Sequence, residues 1–113
     1  MANVNKETQS KIEKLQLLEQ KTQTLLMQKQ NFQTQLLEVE NALAELGDSK
    51  GPVYKIIGNI MILSDNGKNK EDLINKKDVF DLRIKNIEKQ ENKLKEEAVQ
   101  IQSEVIANLK KED

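Results

Sequence analysis

Residues 53–63 read VYKIIGNIMIL, two short apolar runs separated by Gly58-Asn59. A Gly-Asn pair between β-branched, apolar runs is typical of a two-residue hairpin turn with a positive φ at the glycine. Because apolar residues alternate onto both faces, these strands resemble strands that are buried on both sides. An isolated two-stranded hairpin is only marginally stable in water and leaves strand edges unpaired. We therefore expect this hairpin to join hairpins of other subunits, so that the protein is an oligomer.

The segment before the hairpin carries a heptad pattern that predicts a long coiled-coil helix. Apart from Thr22 and Lys29, the a and d positions are apolar, and this 3,4 alternation is typical of a coiled-coil seam. At about 1.5 Å per residue the helix is expected to be about 60 Å long. The seam positions are Leu15, Leu18, Thr22, Leu25, Lys29, Phe32, Leu36, Val39, Leu43 and Leu46.

The segment after the hairpin has a second seam of the same kind. Its steps alternate between four and three residues throughout, so this segment also predicts a coiled-coil helix. The positions are Leu73, Lys77, Phe80, Ile84, Ile87, Glu91, Leu94, Ala98, Ile101, Val105 and Asn108. The two helices match in length and pattern, so we expect them to pair in antiparallel fashion. The predicted fold is mainly α: a long antiparallel two-helix coiled coil joined by one β hairpin.

Folding the chain back at Gly58-Asn59 predicts a register in which Lys29 meets Glu91. Opposite charges in one seam layer are expected to fix the register, since a lone charge there destabilises a coiled coil. The alternative is that both side chains reach solvent separately.

The helix ends are predicted from residues with capping chemistry. Asn3 or Asn5 suits the start of the first helix, and Gly47 suits a left-handed C-cap, with Pro52 blocking continuation. The second helix is expected to begin after Asn66-Gly67, with Asn69 as its N-cap. One domain, residues 1–113, is therefore divided into a helix over 1–46, an assembly region over 47–68 and a helix over 69–113.

Composition narrows the class of protein. Of 113 residues, 36% are hydrophobic, 3% are aromatic and 33% are charged, which disfavours a compact globular core. The net charge of −1 disfavours nucleic acid as the main partner.

There is no apolar run of membrane-spanning length and no signal segment, so we expect a soluble, intracellular protein without membrane contact. Without His or Cys, we expect no catalytic site, cofactor or metal site. Met27 and Met61 are expected to be packing residues, Met61 in the assembly hairpin.

The hairpin in its helical frame resembles the prefoldin β-type subunit family. The segment Tyr54-Lys55-Ile56-Ile57-Gly58 matches that family's Tyr-Lys-apolar-apolar-Gly pattern after the first helix. Residues 27–33, MQKQNFQ, are similar to its glutamine-rich N-terminal arm, and residues 83–91, RIKNIEKQE, to its C-terminal arm. The resemblance covers nearly the whole chain, and a single hairpin matches the β type rather than the α type, which carries two.

The resemblance implies an ATP-independent molecular chaperone subunit of the cytoplasm. Two prefoldin α subunits and four β subunits, the archaeal arrangement, would form a hetero-hexamer whose hairpins build an intersubunit β-barrel. Its coiled-coil tips would capture unfolded polypeptides and pass them to a group II chaperonin. The oligomerisation residues implied are Val53, Tyr54, Ile56, Ile57, Gly58, Ile60, Met61, Ile62 and Leu63.

Near the chain ends, apolar residues exceed what one seam needs. Such a surplus predicts an adaptable hydrophobic surface at the tips. The candidate client-binding residues are Ile12, Leu15, Leu17, Leu18, Ile101, Val105, Ile106 and Leu109. For each residue taken singly, the alternative is that it only widens the intramolecular contact. The alternative function is a structural coiled-coil adaptor or spacer that binds one folded partner.

Overall fold

A computed structural model describes residues 5–48 and 51–112 of the chain. Within these ranges the order of elements is α1 (Lys6–Asp48), β1 (Val53–Ile57), β2 (Ile60–Ser64) and α2 (Asn66–Glu112). The two strands form one antiparallel two-stranded sheet. The predicted fold class, two long helices joined by a single hairpin, is confirmed. Neither described helix contains a stretch long and apolar enough to cross a membrane.

The chain divides into two compact units. We call the described part of residues 1–29 and 86–113 the terminal unit, and the described part of residues 30–85 the hairpin unit. The terminal unit contains the first part of α1 and the last part of α2. The hairpin unit contains the remainder of both helices and the two strands.

The core of the terminal unit is a single stripe of side chains between the helices. Leu18 of α1 packs with Ile101 and Val105 of α2, and all three are buried. The half-buried residues that pack against them are Ile12, Leu15, Leu94, Ala98 and Leu109. The helices run antiparallel here, because the α2 partner number falls as the α1 number rises.

Ion pairs flank this apolar stripe. The Lys11 Nζ atom lies 3.2 Å from a Glu104 carboxylate oxygen, and Lys14 Nζ lies 3.3 Å from Glu97. The hydrogen bond to Glu104 is the main cause that raises the pKa of Lys11 above its ordinary value of 10.5. These pairs are partly exposed, so they contribute less to stability than the apolar stripe does.

The predicted seam pair between Lys29 and Glu91 is confirmed. The Lys29 ammonium donates a hydrogen bond of 2.8 Å to Glu91 Oε1, and about a fifth of each side chain remains exposed. This hydrogen bond is the main cause that raises the pKa of Lys29 above 10.5, while burial acts in the opposite direction. The two charges therefore meet in one layer instead of reaching solvent separately.

The hairpin unit buries Val39 of α1 and Ile84 of α2. The Phe32 and Phe80 rings meet with centroids 6.0 Å apart and a tilt of 35°, within the range of favourable aromatic pairs. The Arg83 guanidinium lies 5.4 Å from the Phe32 ring centroid, which is cation–π distance. The only two Phe residues of the chain thus form one contact between its helices.

The start of α1 agrees with the sequence prediction. The Asn5 side-chain oxygen accepts a 2.7 Å hydrogen bond from the Thr8 backbone N–H, as an N-cap does. Asn3, the other candidate cap, lies outside the described residues.

Two predicted helix ends are wrong. α1 continues to Asp48, and Gly47 does not take a positive φ, because glycine permits the left-handed conformation without requiring it. α2 begins at Asn66, where the Asp65 carboxylate accepts hydrogen bonds from the N–H groups of Gly67 (2.8 Å) and Lys68 (3.4 Å). An earlier residue with capping chemistry therefore starts the helix before Asn69.

Removing a core side chain is expected to destabilise the coiled coil far more than removing its exposed neighbour. Leu18 is 4% exposed and Leu17 is 50% exposed on the same helix. We expect Leu18→Ala to lower the free energy of unfolding by about 2–4 kcal/mol. The matched Leu17→Ala change is expected to stay within about 0.5 kcal/mol of the wild type. Urea unfolding followed by circular dichroism at one fixed subunit concentration measures both, and equal losses would contradict the assigned burial.

The Lys29–Glu91 pair predicts a pH dependence of stability. A folded-state pKa above the unfolded value stabilises fully at lower pH, and that stabilisation is lost as pH rises through the folded pKa. We expect the advantage of the wild type over Lys29→Gln to shrink as pH rises from about 7 to above 10.5. The matched Lys29→Arg variant keeps its charge, so its advantage over Lys29→Gln is expected to persist.

Urea midpoints of these three proteins across that pH range test the pair. The raised pKa of Lys11 is common to all of them, so it cancels in the differences. An advantage of the wild type that does not change with pH would count against the pair.

Candidate functional site

The turn of the hairpin has the geometry that its sequence predicts. Ile57 pairs with Ile60 across Gly58-Asn59, and Gly58 has a φ of +61°. Asn59 has no positive φ. A positive φ at the first turn residue alone, with glycine there, is the pattern of a type II′ turn, whose twist suits the flanking strands. This turn sets the register of both strands.

The register assigns the apolar residues to two faces. One face holds the cross-strand pairs Tyr54–Leu63 and Ile56–Met61, and each of these four side chains is more than half exposed. The other face holds the pairs Val53–Ser64, Lys55–Ile62 and Ile57–Ile60, and of these only Val53 and Ser64 are not exposed. Exposed apolar residues therefore lie on both faces. Such a contiguous apolar surface marks an interaction site.

Both strands of this sheet are also edge strands. Each is five residues long and pairs only with the other, so one side of its backbone has no strand partner within the described chain. Unpaired N–H and C=O groups on an edge are a template for a further strand. The exposed side chains and the strand edges thus favour the same partner, another strand with apolar side chains.

Beside β1, the hairpin unit has a groove with mixed chemistry. Its apolar part includes Leu46, Val53 and Leu73, and its charged residues include Glu45 and Asp72. The Asn66 side-chain amide donates to the Leu46 carbonyl at 3.4 Å, which ties the end of α1 to the start of α2. The hairpin is therefore flanked by helix ends held together by their own hydrogen bond.

In the terminal unit, the candidate client-binding residues fall into three groups according to how exposed their side chains are. Leu18, Ile101 and Val105 are buried in the coiled-coil core. A second group, formed by Ile12, Leu15 and Leu109, is half-buried and packs against that core. Only Leu17 (50%) and Ile106 (55%) are exposed. Their side chains are thus the ones directly available to a partner.

The two exposed residues belong to opposite flanks of the seam. Leu17 lines a surface groove together with Lys21 and Thr24. Gln102 lines a second groove, formed by the other edges of the two helices. Ile106 follows Gln102 by four residues, one helical turn, and so belongs to that flank. The terminal unit therefore exposes an apolar side chain on each side.

The structure exposes further apolar residues that the sequence analysis did not select. Val99 is 54% exposed and lies one heptad before Ile106, on the same helical stripe. Met27 is 70% exposed, so its expected role as a packing residue is wrong in this chain. Both residues lie outside the a and d sites of the heptads, and this position in the sequence could have indicated their exposure. Among residues 5–48 and 51–112, no group of three or more acidic side chains is arranged to hold a metal ion.

An antiparallel pair of helices that exposes an apolar β hairpin defines a coiled-coil assembly subunit. Comparison with known proteins identifies the family. The model of the family described as prefoldin subunit matches residues 9–112. The chain belongs to the prefoldin subunit family.

Relatives with recorded names agree with this assignment. The chain is 32% identical over 107 residues to prefoldin subunit beta of Archaeoglobus fulgidus, which covers 93% of this chain and 92% of the relative. It is 32% identical over 105 residues to prefoldin subunit beta of Methanothrix thermoacetophila, covering 91% and 88%. The crystal structure of the prefoldin beta subunit from Thermococcus strain KS-1 superposes with a TM-score of 0.88 at 27% identity, covering 95% and 96%.

The resemblance to prefoldin β subunits is thus confirmed. Prefoldins are non-enzymatic chaperones, and membership implies that the chain is a chaperone subunit that assembles with other prefoldin subunits.

Charge placed on the apolar face of the hairpin is expected to block assembly. In the variant Ile56→Lys/Met61→Glu, the two new charges are opposite and face each other across the strands, which preserves the hairpin. We expect it to remain helical but to lose about tenfold or more in subunit affinity, since burying each apolar side chain is worth about 1.5–3 kcal/mol. Light scattering over a dilution series with partner subunits measures this loss.

A matched control is Leu37→Lys/Leu82→Glu. These residues of the hairpin unit are 57% and 60% exposed but lie on the helices. The control is expected to assemble like the wild type, and a control that fails equally would argue against a specific role of the hairpin.

Proposed function

We propose that this chain is the β-type subunit of a cytoplasmic prefoldin that captures unfolded polypeptides without ATP and passes them to a group II chaperonin. In this proposal two α subunits and four β subunits assemble through their hairpins. The terminal unit supplies the client-binding surface. Membership of the prefoldin family and the apolar, doubly exposed hairpin support the assembly part of the proposal.

The observation that carries client capture is the exposure of Leu17 and Ile106 beside a core that is complete without them. Leu18, Ile101 and Val105 already pack together. Exposed apolar side chains next to such a core contribute little to intrachain packing and remain available to a partner. Because they lie on a helix surface, their contacts do not require a fixed backbone register in the partner.

Each apolar contact on such a surface is small, so affinity is expected to come from several copies. Burial of a Leu or Ile side chain contributes about 1.5–3 kcal/mol when complete, and less when partial. Several subunits in one assembly then raise the affinity through effective concentration. A client can leave by releasing one weak contact at a time, which suits a chaperone that hands its client on.

The test is aggregation suppression by the assembled protein. Two unrelated, chemically unfolded proteins are diluted into this chain assembled with its α partner, without nucleotide. The variant Leu17→Ser/Ile106→Ser is expected to require about tenfold more assembly for half-suppression of light scattering. Val105 is left unchanged, because its substitution would remove part of the core.

The control variant is Leu37→Ser/Leu82→Ser, which removes equally exposed apolar side chains from the hairpin unit. It is expected to protect both clients as the wild type does. If the wild-type assembly protects neither client and binds only one folded protein, the function is that of an adaptor. Equal protection by all three assemblies would refute capture through Leu17 and Ile106.

A further inference from the structure

The groove beside Leu17 has a lining that the proposed function leaves unexplained. Leu17, Leu25 and Leu94 form its apolar part, and we call it the Leu17 groove. Its lining also includes Lys21 from α1 and Lys93 from α2, so each helix contributes one cation. A lining that combines apolar side chains with two cations resembles a site for a ligand that is both apolar and anionic.

The two lysines are available to such a ligand. Within the described part of the chain, no carboxylate lies within 4.0 Å of the ammonium group of Lys21 or Lys93. The acidic residue in the lining, Glu97, is already paired with Lys14 at 3.3 Å. The groove lining therefore has a net positive charge, with two unpaired ammonium groups against one carboxylate, although the whole chain has a net charge of −1.

Amide side chains complete the lining. Gln20 and Gln90 come from opposite helices. Each carries both a donor and an acceptor, so each can pair with a peptide group of an extended chain. An unfolded segment has peptide groups that no secondary structure satisfies. These amides thus favour a polypeptide as the occupant.

The opposite flank of the seam differs in its charge. The groove there is lined by Ile12, Leu15 and Leu94 with one acidic residue, Glu19, and one basic residue, Lys95. Its charges balance, so it offers no preference for either sign. The positive bias is a property of the Leu17 groove.

We propose that the Leu17 groove binds segments of unfolded polypeptides in which an apolar residue is flanked by Asp or Glu. This inference rests on the proposed function, because it names the client segment that the terminal unit selects. The apolar side chain packs against the three leucines, and the flanking carboxylates approach Lys21 and Lys93. Charge complementarity of this kind mainly sets selectivity and the rate of association, and salt screens it.

The inference is tested with matched peptides and the complete assembly with its α partner. Three peptides share the same apolar residues, and their flanking residues are Glu, Ser or Lys. Each carries an uncharged dye, and fluorescence anisotropy gives its affinity. We expect the Glu-flanked peptide to bind about tenfold more tightly than the Lys-flanked one at about 50 mM salt, and within about twofold of it at about 500 mM.

Variants of this chain locate the effect within the assembly. Lys21→Gln/Lys93→Gln is expected to reduce the difference in affinity between the Glu-flanked and Lys-flanked peptides to about twofold at low salt. The affinity for the Ser-flanked peptide is expected to stay unchanged. The control Lys85→Gln/Lys89→Gln removes the same charge from exposed residues that line neither groove, and it is expected to keep the full preference. Leu17→Ser is expected to weaken the binding of all three peptides to a similar extent.

Aggregation suppression by the same assemblies separates the two levels of the proposal. Suppression of client aggregation without any preference for the Glu-flanked peptide overturns the inference and leaves the proposed function intact. An equal loss of preference in the control variant also overturns it, because net charge would then explain the effect. No suppression and no binding of any peptide overturns both.

Discussion

The seam between α1 and α2 is the constraint on which the remaining structure depends. A helix in a coiled coil buries one narrow stripe, so the chain folds with few aromatic residues and without a broad core. In the terminal unit that stripe is filled by Leu18, Ile101 and Val105. An apolar residue that faces away from this stripe is covered only slightly by the partner helix. Leu17, Met27 and Ile106 are exposed because each helix buries only this narrow stripe.

A seam of mostly similar apolar residues does not by itself select one register. A slip by one heptad would move Lys29 from Glu91 to Ile84 or Ala98 and leave both charges against apolar side chains. The 2.8 Å contact in the observed register avoids that cost. Lys77 is the other seam lysine, and it is half-buried with no carboxylate within 4.0 Å in the described residues. Since its long side chain can reach solvent, it tolerates a seam position without specifying the register.

The features predicted well from the sequence are those set by periodicity. The two seams, the antiparallel register and the turn at Gly58-Asn59 all follow from the spacing of residue types, and the structure confirms them. Helix ends were predicted less well, because neighbouring residues compete to cap a helix. Asp65 caps the helix in place of Asn69, because its carboxylate accepts a hydrogen bond from the Gly67 N–H. The spacing of residue types does not reveal this bond.

The candidate binding residues show a different limit of sequence reasoning. A heptad position indicates the direction of a side chain, but its exposure depends on what the facing helix covers. Val105 and Ile106 are adjacent in the sequence, and one is buried while the other is 55% exposed. Whether a lysine has a carboxylate partner is equally a property of the paired helices. The free cations of the Leu17 groove therefore appear only once the structure is known.

The two exposed apolar surfaces differ in whether their backbone groups are hydrogen-bonded, and this difference suits them to the different roles proposed for them. In the hairpin, strand edges carry unpaired N–H and C=O groups, so a partner must match both the side chains and a hydrogen-bonding register. Such a surface selects another strand and suits a subunit contact of fixed stoichiometry. On the helices, backbone groups are satisfied internally, and only side chains such as Leu17 meet a partner. Contacts of that kind impose no register on the partner, which is the property that a surface for unfolded chains of many sequences requires.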